Sequence, residues 1–154
     1  MIEAGRLMTS TNEKAPRVLF PWISERLPTF CDPPVAQPGL RVLVCGGRDY
    51  QDRQFLVSVL DKLRADCVIS HIIAGGARGA DTFAEEWAKA VGLPCTVYRA
   101  EWERLGRKAG PTRNQQMLDL GMPNLVVAFP GGRGTADMVR RARTAGVEVI
   151  EITR

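Results

Sequence analysis

Arg41-Val-Leu-Val-Cys-Gly46 is a short β-branched run that ends in glycine, and Phe55, Leu56, Val59, Leu60 and Leu63 follow it at helical spacing. Apolar residues that recur three and four positions apart line one face of a helix, whereas a compact β-branched run bounded by turn residues makes a buried strand. The stretch therefore reads as strand then helix, and the unit repeats downstream. Val68 to Ala74 is a second apolar run, stopped by Gly75-Gly76, after which Phe83, Ala84, Trp87, Ala88 and Val91 mark a second amphipathic helix closed by Gly92. Pro94 to Tyr98 predicts a third strand, and Pro111, at a helix-opening position, introduces a third helix through Leu120 that Gly121 ends. Leu125 to Phe129 is the fourth strand, Gly134 to Ala145 the fourth helix closed by Gly146, and Val147 to Ile152 the last strand. Five strands alternating with four helices call for right-handed crossovers, which place helices on both faces of a parallel sheet. The expected fold is α/β, a Rossmann-like doubly wound parallel sheet, whose ligands bind beyond the carboxyl ends of the strands near the switch in strand order.

Residues 1–40 are different. They hold six of the ten prolines (Pro16, Pro21, Pro28, Pro33, Pro34, Pro38), which forbids long helices and central strands. They also carry Val18, Leu19, Phe20, Trp22 and Phe30, an apolar set that calls for docking rather than full solvation. The expectation is an extended, proline-rich N-terminal arm (1–40) ahead of one domain (41–154), with the arm packed on its own domain or on another subunit of a homo-oligomer. Four basic and four acidic side chains cancel within the arm, so the whole net charge of +4 belongs to residues 41–154, a segment that attracts anions.

With 154 residues and 45% hydrophobic composition the chain can bury a core, but not build a multidomain machine. No apolar run approaches the roughly 18 residues of a spanning helix, and Glu3, Arg6, Glu13 and Lys14 break up any export signal. A soluble, cytoplasmic protein without membrane contact is expected. Cys31, Cys45, Cys67 and Cys95 form no CxxC, and His71 is the lone histidine, set among Ile69, Ile72 and Ile73 as a strand residue. Neither a metal nor a cofactor is expected, and histidine-based triads are excluded. Cys45 and Cys95 read as small buried hydrophobes.

Chemistry belongs in the loops after the strands. Three of these are rich in glycine and arginine: Gly46-Gly47-Arg48-Asp49, Gly75-Gly76-Ala77-Arg78-Gly79-Ala80-Asp81, and Pro130-Gly131-Gly132-Arg133-Gly134-Thr135. Glycine permits close backbone approach, so successive N–H groups can form a concave nest, and the helix that follows adds about half a positive charge. Backbone grips phosphate in this way, although glycines that only close tight turns would look the same. No GxxxxGK[ST] or GxGxxG is present, so neither ATP hydrolysis nor a dinucleotide fingerprint is supported. A fourth element, Glu101 to Asn114, places Trp102 for base stacking and Lys108 or Arg113 for phosphate. Asp81 stands where a helix start favours an acid.

Taken together, Gly46-Gly47-Arg48-Asp49-Tyr50, Gly75 to Asp81, Gly110-Pro111-Thr112-Arg113-Asn114-Gln115 and Pro130 to Thr135 resemble the YspA-type branch of the SLOG superfamily, over residues 41–152. That superfamily groups Rossmann-like domains related to DNA-processing protein A and to the Lonely-guy phosphoribohydrolases. The resemblance implies a pocket for a nucleotide or nucleotide-derived ligand, in a family discussed in connection with bacterial and phage conflict systems. In that pocket Gly46, Gly47, Gly131, Gly132, Gly134 and Thr135 would hold phosphate, Arg48, Arg78 and Arg113 would supply charge, and Asp49 or Asp81 would accept hydrogen bonds from sugar or base.

Two alternatives come with the same resemblance. The Lonely-guy enzymes cleave the N-glycosidic bond of nucleoside monophosphates with a PGGxGTxxE motif and an upstream arginine. Pro130 to Thr135 and Arg113 match, but Met138 stands at the glutamate's position, and a thioether can neither stabilise an oxocarbenium-like centre nor move a proton. Arg113 with Asp137 or Glu101 is the catalytic set this alternative requires. The relatives of DNA-processing protein A share segments similar to Gly76 to Asp81 and to Arg113-Asn114, and bind single-stranded DNA; the basic balance permits this, and Arg133, Arg140, Arg141 and Arg143 enrich the fourth helix in cations.

Overall fold

Successive residues of strand β1 (Leu40–Cys45) point to opposite faces, and every residue from Val42 to Cys45 is buried. Both faces are therefore covered. The computed structural model describes residues 39–153. After β1 come α1 (Arg53–Asp66), β2 (Ile69–Ala74), α2 (Ala80–Ala90), β3 (Cys95–Val97), α3 (Trp102–Leu105), α4 (Ala109–Asp119), β4 (Leu125–Ala128), α5 (Arg133–Thr144) and β5 (Glu148–Glu151). The five strands pair in parallel throughout in the order β3-β2-β1-β4-β5, so the chain reverses its direction of growth between β1 and β4.

Two apolar layers sandwich this sheet. Val42, Val44, Ile72, Leu125 and Val127 face Leu56, Leu60 and Leu63 of α1 and Ala84, Trp87 and Ala88 of α2. The residues between them, Leu43, Cys45, Ile73, Val126 and Ala128, face Met117 and Leu118 of α4 and Met138, Val139 and Ala142 of α5. Trp87 donates its indole N–H to Asp61 at 2.8 Å, joining α2 to α1 without leaving a buried donor unpaired.

The α/β alternation is as the sequence predicts, with one addition. Between β3 and α4 the chain forms the short helix α3 and a 3-10 turn at Gly106–Lys108, where the sequence suggested a basic loop. Helix α4 accordingly starts at Ala109, and Pro111 sits inside its first turn, where the missing N–H costs nothing. Of the arm only Gly39 and Leu40 are described, and Leu40 already belongs to β1; the rest of it, Cys31 and the oligomer contacts expected of it lie outside the described residues. Among the described residues no helix is long and apolar enough to cross a membrane.

Candidate functional site

The carboxyl ends of β1 and β4, on either side of the topological switch, open into a cavity of about 950 Å³. Cys45, Gly46 and Gly47 come from the end of β1, Pro130 to Thr135 from the turn after β4, and Trp102, Arg107, Arg113 and Asn114 from the segment after β3. With Ala77 from the loop after β2 and Asp81 from the start of α2, four segments that are distant in sequence thus share one crevice.

The start of α5 faces this cavity without an anion of its own. Its N-cap is Gly132, with no side-chain capping bond, and no acidic residue occupies its first turn. The first-turn N–H groups of a helix have no intrahelical acceptor, so those of Arg133, Gly134 and Thr135 concentrate the positive end of the dipole here. A Cβ built on Gly132 or Gly134 would meet nothing within 4 Å. Gly131 is different: its Cβ would lie 2.2 Å from the Thr135 hydroxyl and 2.6 Å from the Gly47 nitrogen, so this glycine allows the two loops to touch.

The same test sorts the other glycines. Gly46 would press on Ala80, and Gly47, whose N–H donates to the Pro130 carbonyl at 2.9 Å, would press on that carbonyl. The Gly47 N–H is therefore committed to the protein, which corrects the expectation that it holds phosphate. Gly79 has φ +79° and its Cβ would lie 2.3 Å from the Gly47 carbonyl oxygen; it closes the turn into α2 and does not line this cavity. Gly75 leaves room for Arg113, whose guanidinium nitrogen would be 2.0 Å from a Cβ there.

Arg113 lies beneath the cavity, its side chain 13% exposed. It donates to the Gly75 carbonyl and stands 3.8 Å from Asp81. Its Nε–H is buried with no acceptor among the described residues, a cost of about 1–3 kcal/mol that the fold bears to keep a guanidinium here. Burial lowers the Arg113 pKa and raises that of Asp81 to about 6, so desolvation outweighs their mutual attraction on both partners. Asp81 is not the N-cap expected of an acid at this position. It is the second residue of α2, almost fully buried at the wall of the main cavity, and its carboxylate accepts from the Ala77 N–H and faces Arg113.

Asn114 and Asp137 join α4 to α5. The buried Asn114 amide donates to the Gly134 carbonyl and to Asp137 Oδ2, both at 3.1 Å, and fixes the start of α5 over the crevice. Asp137 also accepts from Arg140 and Arg141. Burial alone would raise its pKa, but hydrogen bonds from Arg141, Asn114 and Arg140 hold it below the usual carboxylate value. Met138 is fully buried in the core layer under α5, away from the crevice. Glu101 is exposed, ion-paired with Arg104, and lines neither cavity, so the structure does not bring it to Arg113.

Arg48 stacks over Trp102, 5.0 Å from the ring centroid, and Trp102 is 47% exposed, which leaves an aromatic surface at the cavity wall. Asp49 lines the same cavity. Gly75, Gly76 and Arg78 line a smaller neighbouring cavity instead. Sequence reasoning missed Arg107, which lines the main cavity, and Asp52, whose carboxylate caps α1 by accepting from the Phe55 N–H at 3.0 Å. That cap quenches the positive end of α1, so the Gly46-Gly47 loop leads to no open helix start. His71 shares a 2.7 Å hydrogen bond with Thr96 between β2 and the edge strand β3, and lines neither cavity. Cys45 and Cys95 are free; Cys45 is buried as expected, whereas Cys95, in the edge strand β3, is only half-buried against the core, and burial raises both thiol pKa values, that of Cys95 to about 11.

Fold and site define a Rossmann-like α/β protein with a glycine- and arginine-lined crevice at its strand switch. The chain belongs to the YspA, cpYpsA-related SLOG family, which matches residues 40–105. It is also 40% identical to the Gene 61 protein of Mycobacterium phage D29 over 118 aligned residues, spanning 71% of this chain and 94% of that protein. No solved structure matches it significantly. The family match takes in the loops after β1 and β2 and ends before Arg113, so the α5 turn is understood from its geometry.

Proposed function

We propose that this protein binds a nucleotide or nucleotide-derived small molecule, with a phosphoryl group at the start of α5, a base against Trp102, and Arg113 adding charge from below. The uncapped first turn of α5, opening through Gly132 and Gly134 into a crevice of about 950 Å³, supports this reading most strongly. Backbone donors held by the fold pay no reorganisation when an anion arrives, and a long helix adds its dipole. Isothermal titration against nucleoside 5′-monophosphates is the direct test. Gly132→Val places a branched side chain at the nest without touching the protein, and is expected to weaken binding by about a hundredfold or more, roughly two charge-assisted hydrogen bonds. Unchanged affinity in that variant would overturn the phosphate nest.

Glycosidic hydrolysis is the weaker reading. Asp137, the carboxylate nearest the glutamate position of the PGGxGTxxE motif, is held ionised by three donors and has no proton to give at neutral pH. Incubation with nucleoside monophosphates is expected to leave the base attached; chromatographic detection of free base, lost in Asp137→Asn, would restore the enzyme.

A further inference from the structure

A second, smaller cavity of about 320 Å³ lies beside the main crevice and shares Arg48, Ala77, Trp102 and Arg113 with it. Its lining contains four arginines, Arg48, Arg78, Arg99 and Arg113, and no carboxylate. Arg113 faces Asp81, but Arg48, Arg78 and Arg99 form no ion pair with any described residue. Arg48 and Arg113 are close enough for the charge on Arg48 to lower the Arg113 pKa further. Like charges gathered around one concavity repel, and the one carboxylate the fold sets beside them, Asp81, faces Arg113 and Arg48 and leaves Arg78 and Arg99 without a counter-charge. The arrangement is also built: β3 delivers Arg99 to the rim, and Gly76, at φ +65°, leaves room for it, since a Cβ there would approach Arg99 Cγ to 3.3 Å.

We propose that this arginine-lined cavity receives a second phosphoryl group of the same ligand, so that the cognate molecule is a nucleoside carrying two separated phosphoryl groups. This rests on the nucleotide reading above. One phosphoryl group sits at the start of α5, the other among Arg48, Arg78 and Arg99, and Trp102, which belongs to both cavities, stacks the nucleoside between them. The planar guanidinium fork suits phosphate better than a simple carboxylate or a neutral sugar, and three forks without an ion-pair partner among the described residues, one of them already held against Trp102, suit a dianion.

The test compares a nucleoside 5′-monophosphate with the corresponding 3′,5′-bisphosphate on the full chain at fixed ionic strength. The bisphosphate is expected to bind roughly tenfold tighter or better, as one added charge-assisted contact gives. Arg99→Ala, and more fully Arg78→Ala with Arg99→Ala, should collapse that ratio to near one. Arg64→Ala with Lys89→Ala removes the same charge at the far end of the sheet and should leave the ratio in place. Equal affinities in the wild-type protein, or equal weakening of both ligands by the arginine variants, overturn the second site. Monophosphate binding that ignores Gly132→Val overturns instead the reading it rests on. A single-stranded oligonucleotide that outbinds the bisphosphate, with affinity growing with strand length and falling steeply with salt, overturns the small-molecule ligand in favour of a strand.

Discussion

Two glycine-rich turns lead from strand to helix, Gly75–Asp81 into α2 and Pro130–Thr135 into α5, and in sequence they look like two copies of one device. In space they differ in where the anion comes from. At α2 the fold supplies it: Asp81 is buried in the first turn, accepts from Ala77, and faces Arg113. The first turn of α5 has no acid, no capping side chain, and open space beyond Gly132 and Gly134. A helix start with its own carboxylate is a finished structure, whereas one without it, at the strand switch, is a receptor for someone else's. The glycines follow suit, since those of the α2 turn make room for protein atoms and two of those at α5 leave room for a ligand.

The largest effect that would sharpen this contrast is Gly79→Ala. With φ +79° and a Cβ aimed 2.3 Å from the Gly47 carbonyl, alanine must break the contact between the first two loops. A loss of at least about 3 kcal/mol in urea unfolding is expected. A loss under about 1 kcal/mol would mean that the α2 turn is as open as the α5 turn and would end the distinction.

Asp81 supplies the next effect. Its folded pKa of about 6 lies above the ordinary 3.8, so the folded state holds the proton more tightly. The stability this gives is full below about pH 4 and lost as pH rises through about 6, by up to roughly 3 kcal/mol. Asp137 works in the opposite sense: its lowered pKa gives stability that is present above the ordinary carboxylate range and lost on acidification. Urea midpoints measured from about pH 2 to 7 should rise in Asp81→Asn relative to wild type as pH increases, and the acid side should flatten in Asp137→Asn. A pH profile unaltered by Asp81→Asn would show that this carboxyl is not in the buried pair described.

How much of this could be read from residues alone follows from the same contrast. The strand and helix pattern was legible because burial on both faces leaves continuous runs such as Val42 to Cys45, while helices such as α1 show one apolar stripe. The loops were legible as a group because ligands of this fold gather at strand ends. Their division of labour was not, because Gly79 and Gly132 are the same letter, and only the neighbours of a missing Cβ tell them apart. Helix α3 escaped because four residues of Trp102–Leu105 show no period. The family resemblance pointed to Arg113, but its partners, Gly75 and Asp81, are more than thirty residues away and no spacing rule connects them. Arg99 was findable: it stands just past the end of β3, where the rule that located the other loops applies equally.

The smallest effect separates stability from binding most cleanly. Gly134 lies in the first turn of α5 with nothing near its absent Cβ, so Gly134→Ala removes the conformational freedom of glycine from a helix without any clash. The free protein should gain about 0.5–1 kcal/mol, seen as a melting temperature a few degrees higher. The same methyl group stands where a phosphoryl group must approach the backbone, so the extra stabilisation by saturating nucleotide, about 2.7 kcal/mol at a hundred times Kd, should shrink. A substitution that strengthens the fold while weakening the complex has no explanation in packing. If both rise together, the open space at α5 is only a turn like its counterpart at α2, and the difference between the two regions carries no function.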